Sequence, residues 1–382
     1  MIYNKYTLKE LATIRYGKNQ KNVVSSDGSF PIYGTGGLMG YASKYLYDKP
    51  SVLIGRKGTI DKVRYVTHPF WTVDTLFYTE INDAIVIPHF LYYVLSLLDL
   101  RKYNEGTSIP SLRTETLNRL ELYIPPLSEQ KKILSFIEPI EEKIDINSRI
   151  NRNLSEQIAA LYQAWFIDYE PFKDGDFVDS EVGEIPVGWR VEKLVNLCDT
   201  ISKKHKFDKE ELIFLNTGDI EDGRFLHGNY SAVEGMPGQA KKSIKENDIL
   251  YSEIRPVNRH FAFVNFEAED YVVSTKLMVI RSKGMEPRRL YQFLTSQPVI
   301  DELQLEAESR SGTFPQIRFE NVGALKMVVA TDDVEKKYAE LLQKFYAQID
   351  KNVMDYQRLT ELRDSLLPKL MSGELDVSDL NI

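Results

Sequence analysis

The sequence predicts an α+β fold with two similar globular domains, each built of small twisted β-sheets with short helices. Two long antiparallel coiled-coil helices, related by a pseudo-twofold axis, separate them. Residues 128–162 align with residues 333–367 without a gap, at a constant offset of 205. Both stretches have apolar residues at heptad spacing, and short motifs also recur before them, such as Val73-Asp-Thr75 and Val273-Ser-Thr275. Repeats of this kind indicate a duplicated architecture.

The first globular domain is predicted to cover residues 1–127. Short runs of β-branched and aromatic residues alternate with polar, glycine-containing segments, which is typical of strands joined by turns. Pro125-Pro126 ends the last strand of this domain. The predicted strands are Ser51–Ile54, Val63–Val66 and Thr72–Thr79, with one short helix near Pro88–Asp99.

A central helix is predicted over residues 128–167. Its apolar residues form a stripe that repeats at intervals of four and three residues over more than four heptads, as in a coiled coil. Asn147 interrupts the stripe, and Asn352 has the matching position in the second copy. A polar residue in an apolar seam fixes the register, so we expect Asn147 and Asn352 to face each other. Pro139 predicts a kink or a later start of the helix.

The second half of the chain repeats this order. An acidic linker is predicted at 168–184, a second globular domain at 185–330, a C-terminal long helix at 331–370 and a tail at 371–382. The predicted strands of the second domain are Ile249–Tyr251, Phe261–Phe266 and Val272–Arg281, with one short helix near Glu286–Ser296.

The composition is typical of a soluble globular protein, with 43% apolar and 27% charged residues in a chain of 382. The net charge is −8, but residues 1–127 carry 15 Lys and Arg against 11 Asp and Glu, whereas residues 128–188 carry 6 against 13. The globular domains can therefore present basic faces to a polyanion. A single cysteine, Cys198, excludes an internal disulfide and is expected to be buried.

Motifs for catalysis are absent from the sequence. It contains no GxxxxGK[ST] and no HExxH, and the five histidines lack the spacing of metal ligands. Gly34-Thr-Gly-Gly-Leu-Met-Gly40 lacks the GxGxxG spacing, so we interpret it as a turn-rich loop. There is also no apolar run of the roughly 20 residues that a membrane span requires, and no secretory signal. We predict a cytoplasmic protein with no catalytic residues, no metal site and no membrane contact.

Polar and basic loops occupy equivalent places in the two domains. Gly55–Thr59 matches Ser252–Arg259, and Gly106–Arg113 matches Ser309–Arg318. Arg, Lys, Asn and Gln can read base edges in the major groove, and Ser and Thr bind bases or phosphates. Recurrence of such loops in both halves favours a nucleic-acid contact over a solvated surface.

The chain resembles the DNA-specificity subunits of type I restriction–modification systems. The resemblance spans essentially the whole chain and is carried by VLIGRKGTIDKV (52–63), FWTVDTLFY (70–78), IPPLSEQKKIL (124–134), IPVGWR (185–190), LYSEIRP (250–256) and LRDSLLPKLMSGELDV (362–377). It implies two target-recognition domains that each read half of a bipartite site in double-stranded DNA, with paired helices that set the spacer. It also implies docking of two methyltransferase subunits and, in the full complex, restriction subunits. S-adenosylmethionine, ATP and magnesium would then be bound by those partners and not by this chain.

This resemblance and the recurring loops predict a set of DNA-contacting residues. Two alternatives stay open: a protein-interaction scaffold that reads no DNA, and a self-sufficient DNA-modifying enzyme. The predicted residues are Arg56, Lys57, Thr59, Thr107, Ser108 and Arg113 in the first domain, and Arg255, Asn258, Arg259, Lys276, Arg310, Thr313, Gln316 and Arg318 in the second.

Overall fold

The computed structural model describes residues 2–310 and 315–377, and of Arg310 the backbone only. The chain divides into two compact units. Unit 1 contains Met1–Arg149 and Asn352–Ile382, and unit 2 contains Ile150–Lys351. Each unit therefore combines one globular domain with parts of both long helices, because the apolar stripe of each helix part packs on that domain.

The first globular domain and the first long helix contain strands β1 to β9 and helices α1 to α4. The strands are β1 (Asn4–Thr7), β2 (Ala12–Tyr16), β3 (Phe30–Gly34), β4 (Gly37–Ala42), β5 (Ser51–Gly55), β6 (Val63–Val66), β7 (Trp71–Thr72), β8 (Leu76–Ile81) and β9 (Glu121–Ile124). The helices are α1 (Leu8–Leu11), α2 (Pro88–Ser96), α3 (Thr114–Asn118) and α4 (Leu127–Phe166), with a 3-10 turn at Leu100–Tyr103.

The remaining elements repeat this order with additions. The strands are β10 (Phe177–Ser180), β11 (Gly183–Pro186), β12 (Arg190–Lys193), β13 (Cys198–Thr200), β14 (Glu211–Leu215), β15 (Ile220–Glu221), β16 (Arg224–Phe225), β17 (Tyr230–Ala232), β18 (Ala240–Ser243), β19 (Ile249–Ser252), β20 (Phe261–Phe263), β21 (Tyr271–Ser274), β22 (Leu277–Ser282) and β23 (Lys326–Val329). The helices are α5 (Leu194–Leu197), α6 (Pro287–Leu294), α7 (Gln297–Arg310), α8 (Phe319–Ala324) and α9 (Asp332–Ser372), with 3-10 turns at Glu170–Phe172, Thr217–Asp219 and Pro256–Asn258.

The two globular domains share one sheet topology, which confirms the predicted repeat. The order β2-β8-β5-β6 in unit 1 matches β13-β22-β19-β20 in unit 2, and β1-β9 matches β12-β23. A second sheet, β4-β3-β7, matches the first three strands of β17-β14-β21-β18, and β18 is an addition of unit 2. Each of these sheets contains one parallel pair, β3 with β7 and β14 with β21. Every residue of β5 and of β19 is buried, as expected for strands covered on both faces.

Both long helices lie where the heptad pattern predicts them. Helix α4 runs through Pro139 without a break, so the predicted later start was wrong. In unit 2, the rings of Phe166 and Tyr338 meet edge-on at 4.7 Å, and Asn151 Nδ2 donates to the Ile349 carbonyl at 3.4 Å. Because residue numbers fall along α4 as they rise along α9, the two helices are antiparallel in unit 2, as predicted.

Burial follows the predicted stripe with one exception. Asn147 and Asn352 are 2% and 4% exposed, so both lie in the seam. That they face each other stays a prediction. Tyr356, which the heptad spacing places in the apolar stripe of the second long helix, is 43% exposed and lies outside the seam. A straight α-helix drifts away from a strict seven-residue repeat, which accounts for a stripe position that turns towards solvent. Positions of the stripe in α4 that are buried or half-buried are Ile133, Ile137, Ile140, Ile144, Asn151, Leu154, Ile158, Leu161 and Trp165.

Four predicted segments differ from the structure. The single strands predicted at Thr72–Thr79 and Val272–Arg281 are each two strands, because a turn interrupts both at the repeated motif. Helix α7 includes Ser309 and Arg310, which the sequence placed in a loop. The predicted acidic linker at 168–184 contains β10 and the start of β11, which form an antiparallel hairpin that continues to Pro186. Phe172 packs against Trp189 with ring centroids 5.0 Å apart. Regular structure forms there because its aromatic residues are covered by the domain.

Cys198 is fully buried, as predicted, and its Sγ donates to the Leu194 carbonyl at 3.2 Å. Burial raises the pKa of this thiol to about 12. The thiol is therefore unreactive near neutral pH. Within residues 2–310 and 315–377, no helix is both long and apolar enough to cross a membrane.

His89 of α2 joins the globular domain of unit 1 to α4. Its Nδ1 lies 2.8 Å from Glu138 Oε1 and its Nε2 lies 3.5 Å from Glu141 Oε2. The Tyr93 hydroxyl donates to the same Glu141 oxygen at 2.6 Å, and the Tyr65 ring stacks on the imidazole. Burial disfavours the imidazolium, but the hydrogen bonds and charges of the two carboxylates outweigh burial and raise the pKa of His89.

This ion pair predicts a pH dependence of stability. Because the pKa of His89 is higher in the folded chain, the pair stabilises unit 1 fully below the unfolded-state pKa of about 6.5. The stabilisation is lost as pH rises through the folded-state pKa. We expect it to amount to roughly 1 kcal/mol or less, since Glu138 is half exposed. Urea unfolding of wild type and His89→Gln at a series of pH values measures it, followed by tryptophan fluorescence, to which buried Trp71 of unit 1 contributes.

Other titratable and charged groups also face His89 and its two carboxylates. Tyr92 and Tyr93 of α2, Tyr65 of β6 and Arg363 of α9 also face the pair, and the pKa of each of these tyrosines is raised by burial. The tyrosines therefore stay neutral over this pH range. His68→Gln, at an exposed histidine, is the matched control. The same pH dependence in His89→Gln as in wild type would contradict the prediction.

Candidate nucleic-acid interface

In unit 1 the two predicted loops lie side by side. The Gly58 amide donates to the Pro110 carbonyl at 2.9 Å, and the Leu112 amide donates to the Arg56 carbonyl at 2.9 Å. Between them, Lys57 and Ser111 form an isolated antiparallel bridge. Residues that are about 50 positions apart in the sequence therefore form one continuous surface.

The turn between β7 and β8 supports this surface through hydrogen bonds to the backbone of Arg56 and Lys57. The Thr75 carbonyl accepts from the amides of Arg56 and Lys57 at 2.8 and 3.2 Å. Arg56 Nη1 donates to the Asp74 carbonyl at 2.6 Å, and its guanidinium lies 5.3 Å from the centre of the Tyr16 ring. Arg56 is thus held in place within the domain. Lys57 is exposed and Thr59 is half-buried.

Asn104 organises the loop that carries Thr107 and Ser108. Its Oδ1 accepts from the amides of Gly106 and Ser111, each at 2.9 Å, and its Nδ2 donates to the Gly106 carbonyl at 3.1 Å. Thr107 and Ser108 are exposed as a result. Sequence reasoning missed Asn104, although an Asn two residues before a Gly is a known signal for a side-chain-stabilised turn.

Arg113 ends this loop and is exposed. Its Nε lies 3.2 Å from Glu105 Oε2, and Glu105 also accepts from the Thr116 hydroxyl. An exposed ion pair of this kind is worth little in water and can open when a phosphate or base competes for the guanidinium. Arg113 is therefore available for DNA at small cost.

Unit 2 repeats the same arrangement of two adjoining loops. Ile254 and Gln316 form an isolated antiparallel bridge, at the place that Lys57 and Ser111 occupy in unit 1. The Ile317 amide donates to the Glu253 carbonyl at 2.8 Å, and the Arg255 amide donates to the Pro315 carbonyl at 3.1 Å. The recurrence that the sequence suggested is therefore also a recurrence in space.

The loop after β19 has two arginines with left-handed backbones. The φ angles are 42° at Arg255 and 56° at Arg259, on either side of the turn Pro256–Asn258. Non-glycine residues in this region are strained, and strain of this kind is concentrated at functional sites. The Val257 amide donates to Gln304 Oε1 of α7 at 3.2 Å, which braces the turn.

The two arginines differ in how their side chains are held. Arg259 Nε donates to Asp222 Oδ1 at 2.9 Å, and its Nη1 donates to Gln297 Oε1 at 3.2 Å. Arg255 is exposed, and among the described residues its guanidinium has no hydrogen bond or ion pair. Asn258 is exposed as well. Arg255 is therefore free to bind a ligand, whereas Arg259 supports the loop.

The other predicted residues of unit 2 border this loop. Lys276 Nζ donates to Gln316 Oε1 at 3.3 Å and lies 3.6 Å from Glu253 Oε2. Arg318 is exposed, and its amide donates to Asn321 Oδ1 at 2.9 Å at the start of α8. Thr313 and the Arg310 side chain lie outside the described residues. Among those described, no three His, Cys, Asp or Glu side chains converge as they would around a metal ion.

Residues 3–156 and 186–359, more than half of the chain, match the family model described as the type I restriction modification DNA specificity domain. The chain is 38% identical over 181 residues to the Type I restriction enzyme HindI specificity subunit of Haemophilus influenzae, an alignment that covers 47% of this chain and 39% of that protein. It is 24% identical over 348 residues to the MjaIX specificity subunit of Methanocaldococcus jannaschii, which covers 88% of this chain and 80% of that one. The crystal structure of a type-I restriction-modification system S subunit from M. genitalium has the same fold, with a TM-score of 0.64 and 16% identity over 96% of each chain.

Proposed function

This chain belongs to the type I restriction modification DNA specificity family, and we propose that it reads a bipartite DNA sequence without catalysing a reaction itself. The observation that carries the proposal is the pair of adjoining loops that recurs in both units. The pair in unit 1 presents exposed cationic and hydroxyl side chains, and the pair in unit 2 presents exposed cationic and amide side chains. Both stand on a frame of backbone hydrogen bonds, and these are the groups that bind base edges and phosphates. One unit would read each half of the target.

Other parts of the complex would supply the chemistry. We propose that two methyltransferase subunits dock on this chain and that restriction subunits join the full complex. S-adenosylmethionine, ATP and magnesium would bind to those partners. The paired helices would set the number of unread base pairs between the two half-sites. Methylation of a bipartite target by such a complex would take place on cytoplasmic DNA.

Single-molecule sequencing of modified adenines tests the proposal. We expect cells that express the chain with its methyltransferase partner to modify one bipartite motif, and cells that lack the chain to leave that motif unmodified. Methylation that persists without the chain would contradict the proposal. Methyl transfer by the purified chain alone would instead favour a self-sufficient enzyme.

The two arginines of unit 2 should have different effects on the motif. Arg255→Ala removes an exposed guanidinium, so we expect it to cost about 1–3 kcal/mol of DNA binding and to relax one base position. Arg259→Ala frees the loop from Asp222 and Gln297 and should weaken binding without relaxing one position alone. Arg224→Ala, at another exposed arginine of unit 2, is the control. An unchanged motif and affinity in Arg255→Ala would exclude Arg255 from base reading.

A further inference from the structure

The hairpin β3–β4 of unit 1 ends in a tip, residues 35–39, that belongs to neither of the two adjoining loops of this unit. Gly34 pairs with Gly37, so Thr35-Gly36 forms a two-residue turn. Tyr33 then pairs with Leu38 and Ile32 with Gly40, which leaves Met39 as an extra residue. A bulge of this kind re-aims the side chains beside it. Leu38 and the bulged Met39 therefore lie directly after the turn, at the end of the hairpin.

Both side chains of this tip are exposed. Leu38 is 56% exposed and Met39 is 60% exposed. A Cβ atom added at Gly36 or at Gly40 would meet nothing within 4 Å, so the tip projects from the domain. The Met39 side chain lies over Gly34, where an added Cβ would overlap its Sδ, and Leu38 and Met39 still leave more than half of their surface exposed. Exposed apolar groups that are rimmed by polar ones mark interaction sites.

The charges around the tip identify its partner. A Cβ on Gly37 would lie 3.3 Å from Arg64 Nη2, so this guanidinium covers the turn. A Cβ on Gly58 would lie 3.9 Å from Thr35 Oγ1, which places the turn beside the loop of Arg56 and Lys57. The three adjoining segments 35–41, 55–59 and 106–112 contain no Asp or Glu. Asp74 and Glu105 adjoin these segments, but Glu105 is paired with Arg113, so Arg56, Lys57 and Arg64 leave an excess of cations. A surface with an excess of cations fits a polyanion better than a protein of mixed charge.

We propose that Leu38 and Met39 insert between two adjacent base pairs of the DNA that unit 1 reads. The proposal rests on the proposed function and deepens it. Leu and Met are among the side chains that proteins use as wedges to unstack a base step and kink the duplex. Arg64 and Lys57 would hold the phosphates on either side of the opened step. The basic loops would recognise base edges, and the hairpin tip would make affinity depend on the free-energy cost of unstacking one base step.

A wedge fits these residues better than a contact to thymine methyl groups. Small side chains such as Ala and Thr are sufficient for a methyl contact in the major groove, whereas two long side chains at one tip match an unstacked step. Because unstacking is cheapest at pyrimidine–purine steps, the target should prefer such a step at a position that no side chain contacts through hydrogen bonds.

The test uses the assembled complex and duplexes that carry its mapped motif with 2-aminopurine at successive positions. We expect wild type to raise the fluorescence at one step in one half-site. Leu38→Ala/Met39→Ala should abolish this rise and weaken binding roughly tenfold, a factor that corresponds to about 1.4 kcal/mol. The slope of affinity against salt should stay unchanged because no phosphate contact is removed.

Two further variants make the result specific. Leu38→Met/Met39→Leu keeps both apolar side chains and should retain the fluorescence rise. Val353→Ala/Met354→Ala removes an adjacent pair that is 43% and 70% exposed on α9, and should also retain it.

The outcomes separate the wedge from the proposed function. Specific binding by wild type with no fluorescence change at any step would overturn the wedge and leave DNA reading intact. Absence of specific binding by wild type would overturn the proposed function itself. Loss of methyltransferase assembly in Leu38→Ala/Met39→Ala, with the fluorescence rise intact in the remaining complex, would show that the tip contacts protein and would overturn the wedge.

Discussion

Arg289→Ala is expected to lower the free energy of unfolding of unit 2 by about 3–5 kcal/mol. Arg289 of α6 is 1% exposed and lies among aromatic rings of both long helices. Its guanidinium carbon is 3.5 Å from the centre of the Phe166 ring and 4.9 Å from that of Tyr162. Its Nη2 donates to the Val328 carbonyl at 3.2 Å. Alanine would leave a cavity among the rings and remove desolvated cation–π contacts.

Charge adds less than packing at this site. The nearest carboxylate oxygen, Glu335 Oε2, is 3.9 Å from Arg289 Nε, and among the described residues Nε and Nη1 have no hydrogen-bond partner. A buried charge with incomplete partners is often replaced by an apolar side chain of similar volume without loss. We therefore expect Arg289→Met to recover most of the stability that Arg289→Ala loses.

Urea unfolding followed by tryptophan fluorescence measures these effects. Trp165 and Trp189 belong to the apolar cluster around Arg289, so their emission reports on it. Arg224→Ala, at an exposed arginine of the same unit, is the control and should change stability by less than about 0.5 kcal/mol. If Arg289→Ala unfolds at the same urea concentration as Arg224→Ala, the contacts of Arg289 with the surrounding aromatic rings do not stabilise unit 2.

Gly106→Ala is expected to weaken DNA binding by about 2 kcal/mol or more, because several contacts of one loop would be displaced together. A Cβ at this position would overlap the Ile109 carbonyl oxygen and lie 2.8 Å from Ser111 Oγ. The loop must then move, and Asn104 can no longer hold the amides of Gly106 and Ser111. Thr107 and Ser108 would lose their positions next to Lys57.

The measurement is the affinity of the complex for duplexes with either half of the motif altered. Gly106→Ala should reduce discrimination in the half that unit 1 reads and leave the other half unaffected. Gly238→Ala is the matched control, since a Cβ there meets nothing within 4 Å. Equal loss of discrimination in both halves would mean that the variant has unfolded the domain, which unfolding by urea would reveal. Full discrimination in both halves would remove the loop from the interface.

The sequence predicts the long helices and the repeat well, because both depend on periodic apolar residues that one face of a helix must bury. It predicts the places of Arg56 and Arg255 for the same reason, since matching motifs fold alike. The division of the chain into units is not predictable in this way. Compact units depend on which domain each helix part packs against, and this contact is made between residues far apart in the sequence.

Side-chain partners explain most of what the sequence missed. Arg259 stays a predicted DNA-contacting residue, like Arg255, but the sequence did not reveal that Asp222 and Gln297 hold its guanidinium. These partners come from other parts of the chain, so no local motif reveals them. The break between β21 and β22 was also missed, because the residues on both sides of it, such as Val272, Val273 and Val279, have the β-branched composition of one continuous strand.

Unit 1 is assembled from both ends of the chain, and this has a consequence for synthesis on the ribosome. Val377 is 2% exposed in the same apolar cluster as Leu122 and Ile133. These early residues therefore stay exposed to solvent until the end of α9 and the residues after it, up to Val377, have been translated. Unit 2, at Ile150–Lys351, is complete earlier. The half of the protein that is made first is thus the half that matures last, and a premature stop codon before residue 352 would leave its nascent core open to chaperones and proteases.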